Sequence, residues 1–401
     1  MRRILLATVL ALPAASPLLA DPLAVSYGPR PGYLIDKLPE GDLKTKLASC
    51  EGQTPSASKF SIGHRGAPLM FPEHTVESNR AAARLGAGIL ECDVTFTSDL
   101  ELVCRHAQND LHTTTNMVAS DLADKCTTPF SAASGDAEAS AECRTSDITL
   151  AEFRTLTPKM DAADKTAVDA EGYLGGTPGF RTELYVDDAQ MMTHKESIAL
   201  FDSLGADFTP ELKAPSVEMP FNGFSQDDYA QKLLDEYEEA GIDPSRVWPQ
   251  SFQLRDVMYW IENGGDYGKQ AVFLVEPEDS FDGQKPETWA EDFEKLAADG
   301  VKYLAPSINM LVVADESGAI VASDYAKAAK AAGLELITWS LERSGPLKSG
   351  GGWYYAPLND VIDSDGYYYI VLDALAQDVG VIGVFSDWPG TVTYYANCMG
   401  L

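Results

Sequence analysis

The chain has 401 residues, of which 45% are hydrophobic, and it carries 61 acidic against 30 basic side chains, a formal charge of −31. That length supports a large buried core in one big domain or two medium ones. The charge excludes nucleic acid and anionic membranes as partners, because the field of the whole molecule repels both.

The first twenty residues carry Arg2 and Arg3, an apolar run from Ile4 to Leu12, Pro13, and small residues up to Ala20. This is the layout of a secretory signal peptide, and the apolar run is too short to cross a bilayer. No later stretch is long and apolar enough to span one, so stable membrane insertion is not expected. Residues 21–57 read as an N-terminal extension. From 58 to 401, short β-type runs alternate with helical patterns. The strand candidates are FSIG (60–63), ILECDV (89–94), FTPELK (208–213), VWPQSF (247–252), AVFLV (271–275), KYLAP (302–306), ELITWSL (335–341) and GVFSDWP (383–389). Helical stretches such as DDYAQKLLDEYEEAG and ASDYAKAAKAAG lie between them and stop on Gly. Eight strands alternating with helices predict a parallel (β/α)8 TIM barrel in preference to an open doubly wound sheet.

One connection breaks the rhythm. TFTSDLELVCRH follows the second strand with no room for a helix, so a turn at Ser98-Asp99 folds the chain straight back. Two-residue turn arithmetic then sets His106 opposite Glu91 and Cys104 close to Cys92 or Asp93. Residues 107–206 are too long for an ordinary connection and read as an insertion over the C-terminal mouth of the barrel. It includes DLHTTTN and a helix candidate, DITLAEFRTL.

Six cysteines fit an oxidising compartment, periplasmic or secreted, although they allow fifteen pairings. Cys126 and Cys143 bracket a Ser/Ala/Gly-rich loop with little core of its own. Cys50 and Cys398 lie near the two ends of the mature chain. Cys92 and Cys104 fall across the predicted hairpin; their alternative is two buried free thiols, since a shift of one residue would part them.

Barrel sites form where strands end. Strand one ends in His64-Arg65-Gly66: an Arg fork suits phosphate, and a His titrates near neutral pH. Strand two places Glu91 and Asp93 on one side. Strand three ends in Glu211-Leu212-Lys213. Three carboxylates at one mouth describe a hard-cation site for one divalent ion, Ca²⁺ or Mg²⁺ rather than Zn²⁺. That ion also answers the charge problem of a strongly acidic protein meeting an anionic substrate. Gln250 and Ser251 finish strand four, Trp339 precedes the aromatic, Gly-rich loop SGPLKSGGGWYYAP, and Asp387 ends strand eight. Thr75 is an N-cap candidate, and His112 and His194 read as structural or surface residues. No G-x-S-x-G elbow and no zinc-type Cys/His spacing is present.

Together HRGAPLMFPEHT, ILECDV, LVCRH and FTPELK closely resemble the glycerophosphodiester phosphodiesterase family, from about Phe60 to Pro389; PEHT and ELKAP look like its exported bacterial branch. The resemblance implies a TIM barrel with an inserted cap after strand two. It implies metal binding by Glu91, Asp93 and Glu211, acid–base catalysis by His64 and His106, and phosphate contacts from Arg65 and Lys213. Gln250 and Trp339 join these as further substrate-facing candidates. The implied reaction is metal-dependent hydrolysis of small glycerophosphodiesters to sn-glycerol 3-phosphate and an alcohol. One departure is His106-Ala107, where many members have His-Asp; Asp110 is the nearby candidate to replace that Asp. The other enzyme reading is a phospholipase-D-like or phosphatidylinositol-phospholipase-C-like lipid phosphodiesterase, for which the 353–355 aromatics are the hint. A non-catalytic phosphate-binding barrel is the alternative from a different class, and both histidines plus three carboxylates argue against it. Oligomeric state is not legible in the sequence.

Overall fold

Eight parallel strands close on themselves: β1 (Ser58–Gly63), β2 (Ala87–Phe96), β3 (Asp207–Leu212), β4 (Gln250–Ser251), β5 (Val272–Val275), β6 (Tyr303–Pro306), β7 (Glu335–Leu341) and β8 (Gly383–Ser386). Each pairs with its sequence neighbours, and β1 pairs with both β2 and β8, which completes the barrel. The coordinates are a computed structural model that describes residues 23–401 apart from Ser349. The signal segment expected over 1–20 therefore lies outside the described residues. Each strand is followed by a helix: Val76–Arg84, His194–Leu204, Gln226–Glu239, Leu254–Asn263, Phe293–Ala298, Asp324–Ala331, Tyr367–Asp373 and Pro389–Met399. No helix among the described residues is long and apolar enough to cross a membrane.

The sequence explains this local structure. Thr75, Ser225 and Ser323 cap helix starts by accepting backbone N–H bonds. Gly241, Gly300 and Gly333 take positive φ just past helix ends, as expected of C-terminal stops. Every residue of β2 is buried, so its two faces are covered, as in parallel sheets generally. Ile62, Ile89, Val272, Leu274, Tyr303 and Ile337 fill the barrel interior, while a larger apolar cluster packs strands against helices.

Three expectations need correction. Strand four is a ladder of only two residues rather than the whole of 247–252; Pro249 has no N–H to give, and the pairing around it is irregular. DITLAEFRTL makes one helical turn, Leu150–Phe153, capped by Thr149. The hairpin pairs Val94 with Cys104 and Phe96 with Leu102, one residue along from the two-residue register. Its turn is the longer Thr97–Glu101 loop, with Leu100 at positive φ. Arg105 therefore bonds to the Asp93 carbonyl, and His106 does not sit opposite Glu91. The return strand, Leu102–Cys104, ends before His106.

Three disulfides join Cys50 to Cys398, Cys92 to Cys104, and Cys126 to Cys143. The first ties the N-terminal extension to the last helix. The third brackets a small hairpin, Thr128–Ser131 with Ser140–Glu142, beside a separate apolar cluster that includes Leu111, Ile148, Phe153 and Tyr173. The segment after β2 thus has a core of its own, and its final stretch, His194–Leu204, returns to the barrel as a helix. His194 is buried there and bonded to Glu236 at 2.9 Å, so it is structural and not a surface residue.

Candidate active site

The turn after β1 sets the geometry. Gly66 has φ 94°, and a Cβ there would come within 2.4 Å of Ser78 Oγ, so only glycine fits. Arg65 is also held at positive φ, 53°, a conformation that costs a non-glycine residue energy and is concentrated at functional sites. It turns the Arg65 N–H onto Glu91 Oε2, 2.7 Å away. The Arg65 guanidinium bonds to Glu73 at 2.8 Å and approaches Asp93 at 3.6 Å. His64 Nδ1 lies 2.6 Å from Asp387.

From β2 and β3, Glu91, Asp93 and Glu211 converge so that one oxygen of each lies within 4.8 Å of the others. His74 Nε2 is 2.9 Å from Asp93, Lys213 Nζ 2.6 Å from Glu211, and Gln250 Nε2 donates to Glu91 Oε1 at 3.1 Å. These groups sit at a cavity of about 600 Å³ at the strand C-termini. His64, Arg65, Glu91, His106, Glu211, Lys213 and Trp339 all line it. Asp93 and Gln250 do not; both are buried behind the wall, holding their neighbours. His106 reaches the cavity in spite of the shifted hairpin register, because it stands beyond the end of the return strand and is free of its alternation.

Burial, then the Arg65 cation, lowers His64 to about 4 against the pull of Asp387. Burial with Arg65 and Lys213 likewise pushes His106 well down, so both rings are neutral at pH 7. Glu91 is pushed well up by burial and by Asp93 and Glu211. Burial raises Glu211 to about 7, with Lys213 opposing and Asp93 adding. Burial opposes the Asp93 charge too, but the His74 contact and the Lys213 and Arg65 cations outweigh it and hold Asp93 well below the usual range. Three crowded carboxylates that resist ionising together, with Asp93 Oδ1 buried and unpartnered, are a donor set short of positive charge. Their hard oxygens fit a divalent cation.

Sequence reasoning missed three participants. Glu73 and His74 stand inside the PEHT segment, yet their partners are Arg65, in the turn after β1, and Asp93 on β2. Arg343 lies just past β7 and lines the cavity; it bonds to Asp387 at 3.1 Å and to Asp161 of the insertion at 2.8 Å. A basic residue at a strand end was the available signal. Asp110 accepts from the Ala107 N–H at 3.0 Å, and burial raises it to about 7. One of its oxygens lies within 4.8 Å of ligand atoms of His106 and Glu73.

A barrel whose mouth joins paired cations, neutral histidines and a carboxylate trio is built for an anionic ester. The model of the Glycerophosphoryl diester phosphodiesterase family matches residues 64–391, and the chain belongs to that family. It is accordingly a phosphoric diester hydrolase. A fungal "Extracellular protein" from Arthroderma benhamiae is 47% identical over 247 residues, covering 60% of this chain and all of that one. The "Probable glycerophosphodiester phosphodiesterase 1" of Mycobacterium tuberculosis is 47% identical over 47 residues, only 12% of this chain and 17% of that protein. Among solved structures, a Silicibacter pomeroyi protein assigned to the glycerophosphoryl diester phosphodiesterases has 18% identity and a TM-score of 0.56, over 88% of this chain and 98% of that one. An Oleispira antarctica phosphodiesterase, solved with the product sn-glycerol-3-phosphate, has 16% identity and a TM-score of 0.50, over 85% and 96%. Both structures share the barrel.

Proposed function

We propose that this chain is an exported, metal-dependent glycerophosphodiesterase that releases sn-glycerol 3-phosphate and an alcohol, with His64 and His106 as its acid–base pair. The observation that carries this reading is the convergence of two neutral histidines, Arg65, Lys213, Glu91 and Glu211 on one cavity, with Asp93 close behind the two glutamates. The product named for the Oleispira structure is consistent with it. Export is supported by the three disulfides, by the signal-like segment and by the name of the fungal relative. A fungal relative at 47% identity leaves the bacterial branch resting on PEHT and ELKAP alone.

Glu91, Asp93 and Glu211 would hold one Ca²⁺ or Mg²⁺, which when bound neutralises charge on the phosphodiester and orients the attacking oxygen. Arg65 and Lys213 stabilise the charge that builds on the non-bridging oxygens. Asp387 stays ionised, held low by Arg343 and His64 in spite of its burial. It must therefore accept from His64 Nδ1–H, which leaves Nε2 unprotonated as the base. His106 donates to the leaving alkoxide; burial, with the Arg65 and Lys213 fields, keeps its ring neutral, and an arriving anion offsets the two fields and favours its taking up a proton. The nucleophile is water or the neighbouring glycerol hydroxyl.

The deciding experiment measures glycerol 3-phosphate release from glycerophosphocholine, with and without chelator and with Ca²⁺ or Mg²⁺ restored. Turnover that is lost on chelation and returns with the ion supports the reading. Retained turnover after exhaustive chelation refutes the metal, and no release under any condition refutes the substrate class.

A further inference from the structure

The barrel mouth has two unlike halves. The contiguous strands β8, β1, β2 and β3 supply Asp387, His64, Arg65, the three carboxylates and Lys213. Arg343 leans to the same side, onto Asp387. Strands β4 to β7 instead bring Phe252, Glu276 and Trp339 to the cavity, and the loop after β7 adds Trp353 and Tyr354.

The aromatic half is built, not incidental. Trp339 and Trp353 lie 5.9 Å apart with planes 31° from parallel. Tyr354 stands almost at right angles to both, at 6.1 and 4.9 Å. Trp339 Nε1 donates to the Ala305 carbonyl at 2.9 Å, and Asn309 Nδ2 donates to the Trp353 carbonyl at 2.8 Å, so the wall is fixed at two points. Lys213 already stands over Phe252, 5.8 Å from its centroid, which assigns that ring to the phosphate side. The other three rings have no cation over them among the described residues. Glu276, exposed at the end of β5, faces the same cavity.

We propose that Trp339, Trp353, Tyr354 and Glu276 form a subsite for a quaternary ammonium head group, so that the preferred substrate is a phosphodiester of choline. This rests on the hydrolytic reading above. A trimethylammonium group has no N–H to donate, so it is recognised by aromatic faces and by a carboxylate that attracts it through space. A neutral polyol would meet three ring faces that offer its hydroxyls no acceptor, and although Glu276 could accept one hydroxyl, it would have no cation to attract. The phosphate of such a substrate lies on the cationic half, and its ammonium on the aromatic, acidic half, across one cavity. The phosphocholine group could come from soluble glycerophosphocholine or from a choline lipid.

The test has a binding arm and a turnover arm, both on the full chain. In the first, choline chloride is titrated while tryptophan fluorescence is read, with sodium chloride as the control. Saturable choline-specific change is expected, weakened about tenfold in Glu276→Gln and in Trp353→Ala. In the second, the ratio of kcat/KM for glycerophosphocholine over glycerophosphoglycerol is measured. It should exceed about ten in the native protein and fall about tenfold in each variant. Absence of choline-specific binding, or a ratio near one, overturns the subsite; if both diesters still turn over, the hydrolytic reading survives it. Choline binding with no turnover of either diester supports the subsite and sinks the hydrolytic reading. A parallel assay on lysophosphatidylcholine micelles names the source, since the faster choline ester is the physiological type.

Discussion

At the scale of single residues, the proposed role of His64 requires a ring that is neutral and aimed. Its Nδ1 is held 2.6 Å from Asp387, which Arg343 holds in turn. Asp387→Asn would keep the shape but remove the charge that fixes the tautomer. We expect kcat to fall by roughly 10²–10⁴ in Asp387→Asn and in His106→Ala, with smaller changes in KM, read in a steady-state assay of glycerol 3-phosphate release. Full activity in either variant would refute the assigned roles. The same ring makes a prediction about folding. His64 titrates at about 4 when folded and near 6.5 when unfolded, so between these values the unfolded chain binds more protons. The stability tied to its neutral form is fully present above pH 6.5 and is lost as the pH falls toward 4. Urea unfolding at pH 7 and pH 4.5 should show native protein losing more stability than His64→Gln, by roughly 2–3 kcal/mol. Equal losses would mean that His64 titrates normally. HRG, E-x-D and E-x-K were legible as candidate-site residues because charge at a strand end is costly to hold unless it is solvated, paired or put to use. Glu73, His74 and Arg343 were not, because their partners, Arg65, Asp93, Asp387 and Asp161, are set by how the turns and loops fold and not by strand or helix periodicity.

At the scale of elements, the hairpin after β2 shows what periodicity carries and what it does not. The reversal itself follows from a missing helix, and Cys92 still bridges Cys104 although the ladder sets Cys104 opposite Val94. The register did not follow, since it depends on Leu100 adopting positive φ in a five-residue loop, a choice made by local backbone geometry. His106 tolerates the slip because it lies past the paired segment. The Cys92–Cys104 bridge anchors the chain two residues before it. Replacing both cysteines by alanine should lower stability by about 2–4 kcal/mol. It should also reduce kcat at temperatures where far-UV circular dichroism still reports a folded chain. Unchanged kcat in a destabilised variant would make the bridge a matter of stability alone. The segment after β2 stood out by its length, but its docking did not: the Asp161–Arg343 pair and the Arg181 bond to the Pro68 carbonyl join segments that share no pattern.

At the scale of the whole molecule, closure of the barrel was the most legible feature, because eight alternations leave no free edge in a parallel sheet. The charge of −31 was equally plain, and its consequence at the site is testable. Without a cation, Glu91 and Glu211 are driven toward protonation, Glu211 to about 7, so above that pH the empty trio opposes folding. A divalent ion binding only the folded chain stabilises it by about 2.7 kcal/mol when present at a hundred times its dissociation constant. For a chain of this size that is a rise of several degrees in Tm. At pH 8 we therefore expect Ca²⁺ or Mg²⁺ to raise Tm and chelator to lower it, with the shift much reduced in Glu211→Gln. An acidic surface also gains from screening, but that gain depends on ionic strength and not on three converging oxygens. Sodium chloride at matched ionic strength separates the two. If it reproduces the shift, or if Glu211→Gln leaves the shift intact, the ion is acting on the surface and the trio is not its site.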